Sequence, residues 1–302
     1  MSPTTTNAVT VRVPATSANL GPGFDAVGLA VTLFASITVT SGEPGKHRPP
    51  DPMRRMVTSA VRATYRRADH SAPGSIKVES DSEIPLGRGL GASAAARGAG
   101  IVAANKLMGS PLSADDMLEI GTELEGHADN VAPALFGGLQ VTALDGSRVT
   151  RVDVPLPAGL KCVAFVPELS MPTHESRNLL PKRLARDDAV FNSSRAALLV
   201  AALSTGRWDA LNVATEERLH QQPRSTLFPQ MFDLFRAARE SGAHAAYLSG
   251  GGSTVMAFSD ADQADAVRGA LESAARRLEV PGSSYLLDPC ATGAEVVDGA
   301  VN

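Results

Sequence analysis

The segment Pro85-Leu-Gly-Arg-Gly-Leu-Gly-Ala-Ser-Ala-Ala95 sets three glycines directly ahead of an alanine-rich stretch. Glycine adopts positive φ at no steric cost and lets backbone approach a ligand, and a helix N-terminus offers unpaired N–H groups and a partial positive charge. Together these features suit a polyphosphate. By itself a glycine-rich loop is equally well a tight turn capping a buried helix, because such motifs are short. The segment is neither G-x-x-x-x-G-K-S/T nor G-x-G-x-x-G, so neither a Walker nor a Rossmann fold is indicated.

A cradle of this kind needs a helix behind it and a sheet beneath. Residues 91–108 supply the helix: they are rich in alanine, with Ile101, Val102 and Leu107 as the larger apolar groups, a composition for close packing on a sheet. Alternating apolar residues predict strands at 9–14, 32–40 and 76–79, with a polar Pro/Gly loop at 41–54 and a helix at 56–67. A second helix is expected from 113 to 125, capped by Ser113 and carrying Asp115 and Asp116 in its first turn. Residues 131–141 read as an apolar loop and 159–167 as a strand. Long helices are then expected at 187–204, 207–219 and 226–241. Late strands at 245–248, 253–258 and 285–287 alternate with a helix at 261–278, the pattern of an α+β sandwich. The change of pattern places a domain boundary near 160–170, dividing the chain into 1–165 and 166–302.

Composition narrows the classes of function. The 302 residues are 43% hydrophobic and 20% charged with a formal net charge of −4, which is ordinary for a globular enzyme. The 28 Lys and Arg are scattered and form no basic surface for a phosphate backbone, so nucleic acid is not expected as a partner. Cys162 and Cys290 stand far apart in no metal-ligand spacing, which argues against a disulfide framework or a zinc site and for a reducing, cytoplasmic setting. The first ten residues lack the basic start and apolar run of a signal peptide, and no apolar run reaches ~18 residues, so membrane association is not expected.

Three motifs in order resemble those of the GHMP kinases. The 85–95 segment is similar to P-x-x-x-G-L-G-S-S-A-A. Pro14-Ala-Thr-Ser-Ala-Asn-Leu-Gly-Pro-Gly-Phe-Asp25 resembles the opening motif of the homoserine kinase branch, and Leu248-Ser-Gly-Gly-Gly-Ser-Thr254 is similar to the S-G-A-G-P-T loop. Glu125-Gly-His-Ala-Asp-Asn130 and Phe191-Asn-Ser-Ser-Arg-Ala-Ala-Leu-Leu199 also resemble segments of that branch. The resemblance implies a two-domain fold, with an N-terminal half like ribosomal protein S5 domain 2 and a ferredoxin-like C-terminal half. It further implies ATP-dependent phosphorylation of the side-chain hydroxyl of L-homoserine, a step towards threonine; the sequence leaves the oligomeric state open, a homodimer among the options.

Roles carried over by that match are as follows. Nucleotide is held by Pro85, Leu86, Gly87, Arg88, Gly89, Leu90, Gly91, Ala92, Ser93, Ala94 and Ala95. Ser93 and Glu125 are the hard oxygen ligands expected for Mg²⁺, which binds few protein groups and keeps waters. Arg177 and Arg224 hold the substrate carboxylate with planar guanidinium forks, Asn19 and Asp25 hold its ammonium, and His127 and Asn130 stand at the δ-hydroxyl. Asp25 has no obvious lysine partner in the sequence, so direct attack of a hydroxyl aligned by Asn130 is preferred to general-base catalysis.

Some positions depart from the family pattern. Ala92 replaces the first serine of the tandem pair, Gly251 and Ser253 replace the alanine and proline of the third loop and should loosen it, and Ala128 stands where proline is common. The rival readings are another kinase of the superfamily, acting on threonine or a mevalonate-like alcohol, and a catalytically weak ligand-binding relative.

Overall fold

The computed structural model describes residues 8–42 and 51–297. The N-terminal half comprises strands β1 (Ala8–Asn19) and β2 (Gly23–Gly42), helix α1 (Pro52–Arg67), strand β3 (Ser75–Ser82), helices α2 (Ala92–Leu107), α3 (Ala114–Glu125) and α4 (Val131–Phe136), and strands β4 (Leu139–Asp145) and β5 (Arg148–Val154). The C-terminal half runs β6 (Leu160–Pro167), α5 (Thr173–Asn178), α6 (Arg186–Thr205), α7 (Leu211–Ala214), α8 (Gln221–Arg224), α9 (Met231–Glu240), β7 (Ala245–Leu248), β8 (Val255–Asp260), α10 (Ala261–Arg277) and β9 (Gly282–Leu287), and closes on β10 (Glu295–Val297).

In β2 the residues Leu33, Ala35, Ile37 and Val39 are buried while their neighbours are half-exposed, which is the period-2 pattern of a strand covered on one face. The first sheet has the order β10-β1-β2-β4-β5, with β3 also on β2. Helix α2 lies beneath it and packs closely on α1: a Cβ on Gly100 would stand 2.8 Å from the Val57 carbonyl. Helix α3 starts with a capping box between Ser113 and Asp116.

The second sheet is antiparallel in the order β7-β8-β6-β9. Counted within this half the strands run 2-3-1-4 with helices between the first and second and between the third and fourth, which is the ferredoxin-like arrangement. Strand β6 is buried on both faces: Cys162, Ala164 and Val166 join the core of the first half, whereas Val163 and Phe165 pack with α9 and α10. One apolar cluster therefore runs across both halves, and a second lies on the other face of β6 against α9 and α10. The division at 165/166 falls inside β6, whose partners β8 and β9 both follow it in sequence, so the sheets change over at the 155–159 connection; β10 then returns to pair with β1.

Other boundaries also differ from expectation. Helix α1 begins four residues early because Asp51 caps it and Pro52 fills its first position, where a missing N–H costs nothing. The rest of that expected loop, residues 43–50, lies outside the described residues. The apolar 131–141 segment is not a loop: it is α4 followed by the start of β4, since a buried chain must pair its backbone groups internally. The 207–219 helix is only a short 3₁₀ turn and α7, and the 226–241 helix starts at Met231. Among the described residues no helix is long and apolar enough to cross a membrane.

Candidate active site

A cleft of about 470 Å³ opens between the halves, a size usual for small-molecule pockets. Its floor is the turn from β1 to β2, its back wall the glycine-rich loop and the head of α2, one side the 125–130 turn, and the other the C-terminal segments around α5, α8 and Gly250. Asn19, Asp25, Glu125, His127, Asn130, Arg177, Arg224 and Ser93 all line it, together with Pro85 through Gly89 and with Gly91 and Ala92. Leu90, Ala94 and Ala95 instead point into the core and shape the loop from behind.

The glycines of this loop are required by the protein's own atoms. Gly87, Gly89 and Gly91 have φ of 66°, 80° and 69°. A Cβ on Gly91 would lie 1.9 Å from Thr16 Oγ1, and one on Gly89 would lie 2.2 Å from the Ser249 carbonyl oxygen. The third loop clamps this one: Thr254 donates from both N and Oγ1 to the Arg88 carbonyl at 2.9 and 2.6 Å, and Ser249 Oγ donates to the Gly89 carbonyl at 2.6 Å. The Gly250 N–H reaches the Ala18 carbonyl at 3.0 Å. These bonds hold the loop at both ends despite Gly251 and Ser253, and the Ser253 hydroxyl adds one to the Leu169 carbonyl. A Cβ on Gly251 would come within 3.1 Å of Ser176 Oγ, so glycine there gives α5 room.

At the first turn of α2, Ser93 Oγ donates to Glu125 Oε2 at 3.2 Å. Glu125 is the last residue of α3, followed by Gly126 in the left-handed conformation, and its Oε1 stands 2.6 Å from Arg97 Nη1 in an ion pair that lacks hydrogen-bond alignment. Two hard oxygens meet here, one from a hydroxyl and one from a carboxylate, which is a donor set that fits Mg²⁺. Sequence reasoning missed Arg97, because its place in an alanine helix gives no hint of the carboxylate one helix away.

The 125–130 turn forms a second cluster. His127 Nδ1 lies 2.6 Å from Asp129 Oδ1, which also accepts from Asn130 Nδ2 at 3.3 Å, and Thr16 Oγ1 donates to Asn130 Oδ1 at 2.8 Å. Asp129, another residue missed, is buried and fixes its neighbours on both sides. Burial alone would depress the His127 imidazole, but the bond to Asp129 and its charge outweigh burial and raise its pKa. Ligand atoms of Asp25, His127 and Asp129 lie within 4.8 Å of one another, giving this end of the cleft two carboxylates.

Asp25, with a φ of 58°, does have a cationic partner: Arg177 Nη1 and Nη2 donate to its two oxygens at 3.0 and 2.5 Å. The missing lysine is replaced by an arginine 152 residues away, supplied by α5. Asn19 also has a positive φ, of 69°; its Oδ1 accepts the Asp25 N–H at 3.1 Å and its Nδ2 donates to the Gly250 carbonyl at 2.9 Å, so its amide chiefly ties the turn to the third loop.

Arg224 differs from Arg177. It is 1% exposed, its Nη1 donates to His220 Nδ1 and to the Gly250 carbonyl at 2.9 Å each, and its Nε is buried without a partner. Among the described residues no carboxylate hydrogen-bonds to it. Burial, followed by repulsion from Arg177, lowers its pKa to about 10, still well above neutrality. Phe24 presents its ring to both guanidiniums, at 5.3 Å from Arg177 and 5.6 Å from Arg224. One part of the cleft thus holds a buried cation to which no carboxylate among the described residues is hydrogen-bonded, and another holds Asp25, paired with Arg177, and Asp129, paired with His127.

The chain matches the models of the GHMP kinases N terminal domain over residues 55–138 and of the GHMP kinases C terminal over residues 199–277. It is similar to the homoserine kinase of Moorella thermoacetica, 41% identical over 296 residues that cover 95% of this chain and 99% of that one. The homoserine kinase of Deinococcus radiodurans is 43% identical over 261 residues, covering 83% and 84%. Among solved structures, the homoserine kinase of Cytophaga hutchinsonii superposes with a TM-score of 0.86 at 28% identity, covering 96% of this chain and 98% of that one.

Proposed function

The chain belongs to the homoserine kinases of the GHMP kinase family, and from that premise we propose how its own residues phosphorylate the side-chain hydroxyl of L-homoserine with ATP. The observation that carries the assignment of roles is the arrangement of charge in the cleft, with Arg224 hydrogen-bonded only to neutral acceptors in one part and the Asp25/Asp129 acids in another. A zwitterionic amino acid complements both at once.

In this reading the carboxylate lies against Arg224 and Arg177, and the ammonium lies against Asp25 with the Asn19 carbonyl close by. Binding replaces the internal Arg177–Asp25 pair with two ion pairs to the ligand, so both charges stay compensated. His127 and Asn130 receive the δ-hydroxyl. Asn130 is well suited to aim it, because Thr16 and Asp129 fix the orientation of its amide. The nucleotide phosphates lie along residues 87–93, with Pro52, Met56, Pro85 and Leu86 offering an apolar end for the base. Ser93 and Glu125 would hold Mg²⁺, which would supply charge neutralisation at the phosphate oxygens. The hydroxyl oxygen forms its bond to the γ-phosphorus as the bond to the ADP oxygen breaks, and the hydroxyl proton passes to an oxygen of the transferred phosphoryl group and from there to water; positioning and charge supply the acceleration, and Ala92 removes one hydroxyl from the cradle without touching either metal ligand. We place the ATP-binding half ahead of the 155–159 connection and expect a cytoplasmic enzyme.

A coupled ADP-release assay with homoserine, threonine, serine and mevalonate tests the reading. Homoserine should be the best substrate. If threonine, whose hydroxyl is one carbon nearer the α-carbon, turned over faster, the substrate assignment would fail while the kinase assignment stood.

A further inference from the structure

The mechanism above leaves unused the buried side chain that touches its least compensated cation. His220 has no solvent exposure, its ring lies tilted against Phe24 with centroids 5.3 Å apart, and its two nitrogens have different partners: Nδ1 faces Arg224 Nη1 at 2.9 Å and Nε2 faces the Gly21 carbonyl at 2.8 Å. A guanidinium nitrogen only donates and a carbonyl only accepts. The ring proton must therefore sit on Nε2, and Nδ1 must offer its lone pair to Arg224, so the imidazole is neutral.

We propose that His220 is a positioning residue for the carboxylate subsite, holding the Arg224 guanidinium with an uncharged acceptor so that the cation is fixed while its charge remains free for an anionic ligand. The inference rests on the reading that Arg224 receives the substrate carboxylate. Both acceptors on Nη1, the imidazole and the Gly250 carbonyl, are neutral. An aspartate or glutamate in the place of His220 would make as good a bond and would cancel the charge, as Asp25 does for Arg177.

The surrounding chain supports this arrangement. Glu217, buried 3.9 Å from His220 Nε2, directs its oxygens at the backbone N–H groups of Leu219, His220 and Gln221 at 2.6 to 2.7 Å, and so folds the turn that presents the imidazole. Asn192 Oδ1 accepts the Arg218 N–H at 2.8 Å and ties that turn to α6. Asn192, in a segment that resembled the family without an evident chemical task, thereby acquires one as a support of the turn that carries His220. Burial lowers the His220 pKa to about 4, in keeping with the neutral ring that the hydrogen bonds demand.

The test uses the full-length enzyme and the variants His220→Gln, His220→Glu, His220→Leu and Arg224→Met. The readouts are KM for homoserine and for ATP, and the ratio of kcat/KM for homoserine to that for 3-aminopropan-1-ol, which lacks only the carboxylate. His220→Glu and His220→Leu should raise the homoserine KM about tenfold or more, leave the ATP KM within about twofold and collapse the ratio, whereas His220→Gln, with a neutral acceptor, should recover most of it. A purely structural role would depress both substrates alike and leave the ratio at its parental value, which would overturn the proposal. His220→Leu alone decides if the glutamate variant does not fold. If Arg224→Met raises the homoserine KM but His220→Glu and His220→Leu do not, the role of His220 fails and the carboxylate reading survives; if Arg224→Met also leaves KM unchanged, the carboxylate reading itself falls.

Discussion

Replacing Arg224 by methionine separates stability from function more sharply than any other change in the cleft. Removal of a large side chain that is 1% exposed would ordinarily destabilise the fold by several kcal/mol. Here the buried charge offsets that loss. A fall from 12.5 to about 10 means that the folded site disfavours the cation by about 3 kcal/mol. Methionine keeps most of the aliphatic volume. Against this stand two lost hydrogen bonds, of which only the one to His220 leaves an acceptor with no other partner, because the Gly250 carbonyl still accepts from Asn19; that orphan costs about 1–3 kcal/mol. Net stability should therefore stay within about 2 kcal/mol of the parent, with Tm unchanged or higher. Homoserine binding should weaken by about one to two decades or more, the worth of a charge-assisted hydrogen bond in a water-poor site, while ATP binding holds. Differential scanning fluorimetry and calorimetric titration with each ligand measure the two arms. Unchanged homoserine affinity would refute the carboxylate role, and a large drop in Tm with unchanged affinity would mean that Arg224 is a structural residue whose charge is already balanced in the fold.

Three further outcomes are expected. Glu125→Ala should remove most turnover at saturating Mg²⁺ and also lower Tm, since it leaves the Arg97 guanidinium facing an empty, largely buried position at a cost of about 1–3 kcal/mol; adding Arg97→Ala should restore Tm but not turnover, and near-parental turnover in Glu125→Ala would end the metal assignment. Gly91→Ala should suffice to lose ATP affinity and stability together, because even a methyl group would collide with Thr16 Oγ1 at 1.9 Å in a backbone with φ of 69°; parental ATP affinity by calorimetry would contradict this. The third concerns pH. A histidine whose folded pKa is lowered to about 4 contributes stability that is present above its unfolded value near 6.5 and is lost as pH falls towards 4. Between pH 7 and pH 5 this group alone should cost the parent about 2 kcal/mol that a foldable His220→Gln variant does not lose; parallel pH–stability curves for the two in urea titrations would show that His220 is not held neutral by the fold.

What the sequence determines by itself is the local chemistry. The glycines of 85–95, the Ser113 cap, the strand alternation in β2 and the alanine face of α2 are each set by neighbours within a few residues, so they read correctly from pattern alone. The family motifs extended that reading to residues distant in sequence, and Asn19, Asp25, Ser93, Glu125, His127, Asn130, Arg177 and Arg224 do converge on one cleft. Pairing between those residues was not legible, because it depends on which side chains the two sheets bring face to face. That Arg177 is held by Asp25 across 152 residues, that Arg97 reaches Glu125, and that Asp129 orients both His127 and Asn130 are facts of packing. The same holds for the two arginines expected to act alike: one is neutralised by a carboxylate, and the other is held by a neutral imidazole and a carbonyl and keeps its charge. Sequence supplies two identical guanidiniums, and only the tertiary structure makes them different, because the effective charge of a buried group is decided by the partners that desolvation forces it to keep.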